Sequence, residues 1–132
     1  MVYSYQKITP LISRPIIRIV LRSGSNFVLY RVLIDSGADY CIFDIQIAEA
    51  LGISLSQKAV GFRGVGKGKV KGFWGEIEIK IGYINYKTKA IFTDIGHFDH
   101  GILGQLGFFN HFDVKLSHSK QIIEIDPVKL PN

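Results

Sequence analysis

The sequence predicts a mainly β fold with two short helices. Three observations carry that expectation. Apolar residues alternate with polar ones at period two over most of the chain. Isoleucine, valine and aromatic residues supply much of the 47% apolar content, and these side chains suit a pleated, half-buried surface. Glycine, asparagine and serine clusters break the alternating runs at hairpin spacing.

The elements follow in order. Pro15–Leu21 (PIIRIVL) and Phe27–Ile34 (FVLYRVLI) are strands, joined by the turn residues RSGSN into a hairpin. Asp44 can cap a short helix, IQIAEAL, which Gly52 terminates. Between Gly61 and Gly75 lie six glycines in fifteen residues. Glycine weakens strand packing and tolerates positive φ, so this segment predicts a hairpin arm that can bend. In EIEIKIGY, Ile77, Ile79 and Ile81 share one face, with Glu76, Glu78 and Lys80 on the other. YKTKAIFTD pairs back across a turn near Gly82. The last third reads as a short strand, GILG, a second short helix, QLGFFNHF, and a hairpin through LSHSK into QIIEID. With no repeat, linker or low-complexity tail, residues 1–132 read as one domain, a size that supports one substantial core.

Composition excludes several classes. The apolar content argues against disorder, and no apolar run approaches the roughly 18 residues of a spanning helix. The N-terminus lacks the pattern of a secretory signal. A single cysteine, Cys41, excludes an internal disulfide framework and fits a reducing compartment. The expectation is a soluble cytoplasmic protein with no membrane partner. Sixteen Lys and Arg against eleven Asp and Glu give a net charge of +5. The positive residues are spread along the chain apart from Arg63–Lys71, and no helix-turn-helix, zinc-finger or RNA-binding signature accompanies them. This pattern argues against nucleic acid as a partner.

Other motifs fail on chemistry. Gly61 to Lys67 matches the start of a phosphate loop, but Gly68 stands where a magnesium-binding hydroxyl is needed, and a strand pattern follows where a helix should. His97-Phe-Asp-His100 lacks the four-ligand set of a structural zinc site, and His111 and His118 lie in a separate segment. No cofactor or metal is implied. Cys41 has no neighbouring histidine to activate it, and Ser36 has no identifiable base. Asp35-Ser36-Gly37-Ala38 remains. It places a carboxylate at the end of an apolar strand, where burial is costly unless the group is paired, hydrogen-bonded or protonated.

Three segments, in order, resemble a retropepsin-like aspartic protease, the single-domain, retroviral-type branch of that family. VLIDSGADYCIF resembles the catalytic strand and loop. GFRGVGKGKVKG occupies the flap position, with the flap at about residues 61–75. GILGQLGFFNHFDVKL resembles the second signature, and FDIQIAEALGI fits a helix that cellular relatives often carry. The resemblance spans roughly Arg14 to Pro127. It implies a closed or folded β-sheet acid-protease fold, equivalent to half of a pepsin, with a glycine-rich flap hairpin.

By the same resemblance, Asp35 is the catalytic carboxylate, Ser36 bridges the two catalytic loops across a dimer axis, and Gly37 offers its carbonyl to substrate. Ala38 lies under the peptide and Asp39 binds its backbone. Glycine density puts the tip of the flap at Gly64, Val65, Gly66, Lys67 and Gly68, expected to cover the peptide. Ile102, Leu103 and Gly104 support the catalytic loop from behind. Two features depart from the pattern: the cationic flap (Lys67, Lys69, Lys71), and a Tyr3–Pro10 segment that does not align with the strand relatives use at the dimer interface. The chemistry needs two carboxylates about one water apart, yet the chain has a single Asp-[Ser/Thr]-Gly. The expectation is therefore an endopeptidase active as a homodimer on protein or peptide bound in extended form. The competing readings are a catalytically silent, dimeric peptide-binding module and a basic nucleic-acid-binding β-domain.

Overall fold

The computed structural model describes residues 1–63, 69–96 and 99–129. Its strands are β1 (Val2–Ser4), β2 (Gln6–Lys7), β3 (Ser13–Arg14), β4 (Ile16–Ser23), β5 (Asn26–Ile34), β6 (Ile42–Asp44), β7 (Val60–Arg63), β8 (Lys69–Ile81), β9 (Ile84–Thr93), β10 (Gly101–Leu103), β11 (Phe112–Ser117) and β12 (Ile122–Pro127). The helix α1 (Ile45–Leu51) follows β6.

Seven strands form one sheet in the order β4-β5-β10-β6-β9-β8-β7, and β4 also pairs with β8. That extra pairing, Val20↔Lys80 to Arg22↔Glu78, closes six of the strands into a barrel and leaves β7 at the edge of β8. The mainly β, closed-sheet expectation holds. Closure leaves those six strands without the exposed edge that an open sheet would present. Period-two patterning fills the interior: Leu21, Val32, Phe43, Ile79, Ile81, Phe92 and Leu103 are all fully buried.

Two tight hairpins set the register. β4 and β5 pair up to Ser23↔Asn26, with Gly24 at φ 58. β8 and β9 pair up to Ile81↔Ile84, with Gly82 at φ 58. Two-residue loops call for this left-handed conformation, which only glycine adopts without steric cost. The helix also follows its local signals. The Asp44 carboxylate accepts the Gln46 N–H at 3.2 Å, and Gly52 closes the last turn at φ 70.

The second predicted helix is not one. Residues 105–111 form consecutive turns, in which Phe109 N–H reaches Gly104 O at 3.1 Å and His111 N–H reaches Phe108 O at 2.9 Å. Gly107 at φ 104 interrupts any helical run, and its N–H is taken by the Asn110 side chain at 3.0 Å. The apolar spacing that suggested a helix instead buries Phe108 and Phe112, whose rings stack 5.3 Å apart.

The N-terminal residues form a strand that the sequence did not indicate. β1 pairs antiparallel with β12, making a three-stranded sheet β1-β12-β11. The Met1 ammonium donates to Ile125 O at 2.9 Å and reaches the Asp126 carboxylate at 3.3 Å. Ile123 and Ile125 of this sheet share the barrel's core. β2 and β3 pair as a separate short ladder.

Candidate active site

The site begins where β5 ends. Ile34 is buried and donates its N–H to Pro15 O at 2.9 Å, so the strand is pinned up to its last residue. The chain then turns: Ala38 N–H donates to Asp35 O at 3.2 Å. Inside that turn, Gly37 N–H donates to the Asp35 carboxylate at 2.9 Å. This Asx-type turn accounts for Asp35 locally, because the backbone itself supplies a hydrogen-bond partner for its charge. Asp35 is half-buried, whereas Ser36 and Gly37 stand exposed at the tip.

The loop is held from behind by β10 and the turn after it. β10 runs parallel to β5, pairing Ile102 with Leu33 and Leu103 with Ile34. Asp35 N–H donates to Leu103 O at 3.0 Å, continuing the ladder by one bond. Gln105 N–H then donates to Ala38 O at 2.8 Å, and Leu106 N–H to Asp39 O at 2.9 Å. Gly104 lies between: a Cβ there would collide with the Tyr40 carbonyl and sit 2.7 Å from Ala38 O. Glycine is required because two backbones touch. Ile102, Leu103 and Gly104 therefore stand directly behind residues 35–40.

Of the remaining predicted residues, Ala38 is half-buried and Asp39 exposed, both in the same loop. The next ring, Tyr40, packs edge-on against Trp74 at 5.2 Å. Trp74 belongs to β8, the return arm of the glycine-rich hairpin. Its arms pair from Val60↔Gly72 to Arg63↔Lys69, so the predicted hairpin is formed. Its tip, Gly64, Val65, Gly66, Lys67 and Gly68, falls outside the described residues. Sequence reasoning missed Gln105, whose side-chain amide donates to Ser36 O at 3.0 Å. The available signal was its position, directly after the glycine of the second signature.

Other reactive groups lie apart. Cys41 is buried and free, and burial pushes its thiol up to about 12 against a smaller opposing hydrogen bond from the Gly104 backbone. It is a packed core side chain rather than a nucleophile. Tyr30 is raised to about 12, mainly by burial, and its hydroxyl accepts the Asp44 N–H at 3.1 Å. Burial also raises Tyr86, which donates to Gly107 O at 2.7 Å. The described histidines do not converge: His100 is buried beside Gly101, His111 packs on Tyr86, and His118 meets Tyr5. Among the described residues no group of three His, Cys, Asp or Glu is placed to hold a metal ion. No helix among them is long and apolar enough to cross a membrane. Surface hollows of 370 and 330 Å³ flank β8, and neither includes residues 35–39.

The comparisons agree with this geometry. A family model described as aspartyl protease matches residues 23–105, from the β4–β5 turn to the residue after Gly104. Among solved structures, the chain is similar to the EIAV protease complexed with the inhibitor HBY-793, at 27% identity and a TM-score of 0.58, covering 75% of this chain and 88% of that one. It also resembles a retropepsin-like aspartic protease from Rickettsia conorii, at 17% identity and a TM-score of 0.53, covering 92% and 93%. At that lower identity the likeness concerns the fold. No curated protein matches the chain. The matched segment contains both the Asp35 loop and the strand that carries it, and the chain belongs to the aspartyl protease family, with a retropepsin-like fold.

Proposed function

We propose that this single-domain protein is an aspartic endopeptidase that hydrolyses peptide bonds as a homodimer, with Asp35 contributed by each subunit. The observation that carries the reading is the Asp35 loop. A carboxylate is fixed by its own turn at 2.9 Å and presented beside an exposed Ser36-Gly37 tip. The remaining aspartates, Asp39, Asp44, Asp94, Asp99, Asp113 and Asp126, lie in other contexts, so the second carboxylate must come from a second copy. A twofold axis through the tip brings Asp35 to the partner's Asp35.

The chemistry follows from the pair. Two like charges one water apart cannot both ionise easily, so the dyad holds one proton over a useful pH range. The ionised member takes a proton from the water as it attacks the scissile carbonyl, while the protonated member donates to the carbonyl oxygen. The tetrahedral intermediate then collapses with proton transfer to the leaving amine. Ser36 links the two loops across the axis, and the Gly37 carbonyl, Ala38 and Asp39 line the peptide's path. The hairpin tip, Gly64 to Gly68, closes over an extended substrate by strand-like hydrogen bonding. A buried free thiol at Cys41 accords with a cytoplasmic setting.

The deciding experiment incubates wild type and Asp35→Asn with a peptide library at several pH values. Wild type cleaves, and the variant loses at least about 10³-fold in rate while remaining folded. Cleavage surviving in Asp35→Asn overturns the assignment. Peptide binding by both proteins with cleavage by neither marks a peptide-binding module instead.

A further inference from the structure

We infer that Gln105 is a positioning residue that tunes the Asp35 carboxylate through the Ser36–Gly37 peptide group. Two hydrogen bonds meet on that one amide. Its oxygen, Ser36 O, accepts from Gln105 Nε2 at 3.0 Å, and its nitrogen, Gly37 N, donates to Asp35 Oδ1 at 2.9 Å. The relay runs from the Gln105 amide, through one peptide plane, to the carboxylate.

The arrangement has two consequences. First, it fixes orientation. The exposed tip could otherwise rotate the Ser36–Gly37 plane, and that rotation would withdraw the N–H from Asp35. Gln105 is itself anchored by its main chain, whose N–H donates to Ala38 O at 2.8 Å, so the clamp grips the loop at two carbonyls, those of Ser36 and Ala38. Second, it polarises. A carbonyl that accepts a hydrogen bond makes the N–H of the same amide a stronger donor. A stronger donor to a carboxylate favours its ionised form. Gln105 thereby acts on the Asp35 carboxylate through the intervening peptide group without touching it.

Few titratable groups compete on the elements packed around the loop. The loop itself carries Asp39 and Tyr40. Arg14 precedes Pro15, whose carbonyl takes the Ile34 N–H, and His100 precedes β10. The turn 104–107 carries none. In the proposed dimer the strongest neighbour is the partner's Asp35.

The test uses Gln105→Met, which keeps length and every main-chain bond but removes the donor, and Gln105→Arg, which restores an N–H donor. The primary readout needs no substrate: the Asp35 carboxyl ¹³C signal is followed against pH in the full-length protein. In Gln105→Met the titration moves to higher pH, and in Gln105→Arg it returns to or below the wild-type position. The kinetic readout rests on the cleavage reading and uses the library peptide that wild type cuts fastest. Loss of one neutral hydrogen bond lowers kcat by about fivefold with KM nearly unchanged, and the acid limb of the kcat profile moves up with the carboxyl titration. A Gln105→Met protein whose Asp35 titrates as in wild type overturns the inference, even if it melts at a lower temperature. Persistent cleavage by Asp35→Asn would overturn the protease reading alone, leaving the carboxyl titration to decide on Gln105.

Discussion

Asp35 donates its main-chain N–H to the carbonyl of Leu103 at 3.0 Å, joining the carboxylate-bearing loop to a strand from the last third of the chain. Three of the elements that position the carboxylate meet at this junction. β5 delivers Asp35, β10 continues the ladder past the end of β5, and the turn at 104–106 takes up the carbonyls of the loop. The apolar Ile102-Leu103-Gly104 segment therefore acts as a backing plate rather than as generic core.

The tightest point of that junction is Gly104. A Cβ at this position would meet the Tyr40 carbonyl and lie 2.7 Å from Ala38 O, and backbone atoms cannot move aside cheaply. Gly104→Ala should cost about 1–3 kcal/mol, as overpacking does. It should also displace the loop enough to reduce cleavage at least tenfold. Urea unfolding and peptide turnover measure the two effects. An unchanged midpoint together with unchanged turnover would contradict the packing account.

The proposed shared active site makes activity depend on concentration. On dilution through the dimer dissociation constant, specific activity should fall together with molecular mass in sedimentation or light scattering. An equimolar mixture of wild type and Asp35→Asn should show depressed activity per wild-type chain, because heterodimers carry one carboxylate. Full specific activity in a preparation shown to be monomeric would exclude the dimeric mechanism.

The arms Val60–Arg63 and Lys69–Gly72 pair antiparallel, and the proposed function assigns closure over substrate to the glycine-rich segment between them. Replacing Gly66 and Gly68 together with valine stiffens the tip. Turnover should drop at least about tenfold while thermal stability changes little. Wild-type kinetics in the double variant would move the closing element elsewhere.

Alkaline pH should destabilise the fold. The Cys41 thiol is raised from 9.0 to about 12 and the Tyr30 hydroxyl from 10.0 to about 12, both chiefly by burial. Above pH 9 the unfolded chain releases these protons while the native state retains them. Stability then falls as pH rises, with the loss beginning near pH 9 and complete near pH 12. Urea midpoints measured between pH 8 and pH 11 test the sign, and Cys41→Ala should flatten the part of the slope that begins at the lower pH. A midpoint that rises over this range would refute it. Native Cys41 should also resist alkylation until the protein unfolds.

The sequence by itself determined the elements with local causes. Period two wrote β4, β5, β8 and β9. Asp44 and Gly52 bounded the helix, and the turns at Gly24 and Gly82 set two hairpins. The Asp35-Ser36-Gly37 motif marked the candidate site, because an aspartate at the end of an apolar strand is an energetic anomaly visible without coordinates. Local pattern misled at residues 105–111, where the apolar spacing of a helix is broken by Gly107 and the phenylalanines are buried by successive turns. It was silent at β1, which exists through its pairing with β12. Barrel closure by the β4–β8 pairing, the contact of Gly104 with the Tyr40 carbonyl and the reach of Gln105 to Ser36 O were decided only by tertiary structure. Each joins residues far apart in the chain, and no local propensity or periodicity encodes the distance between two backbones.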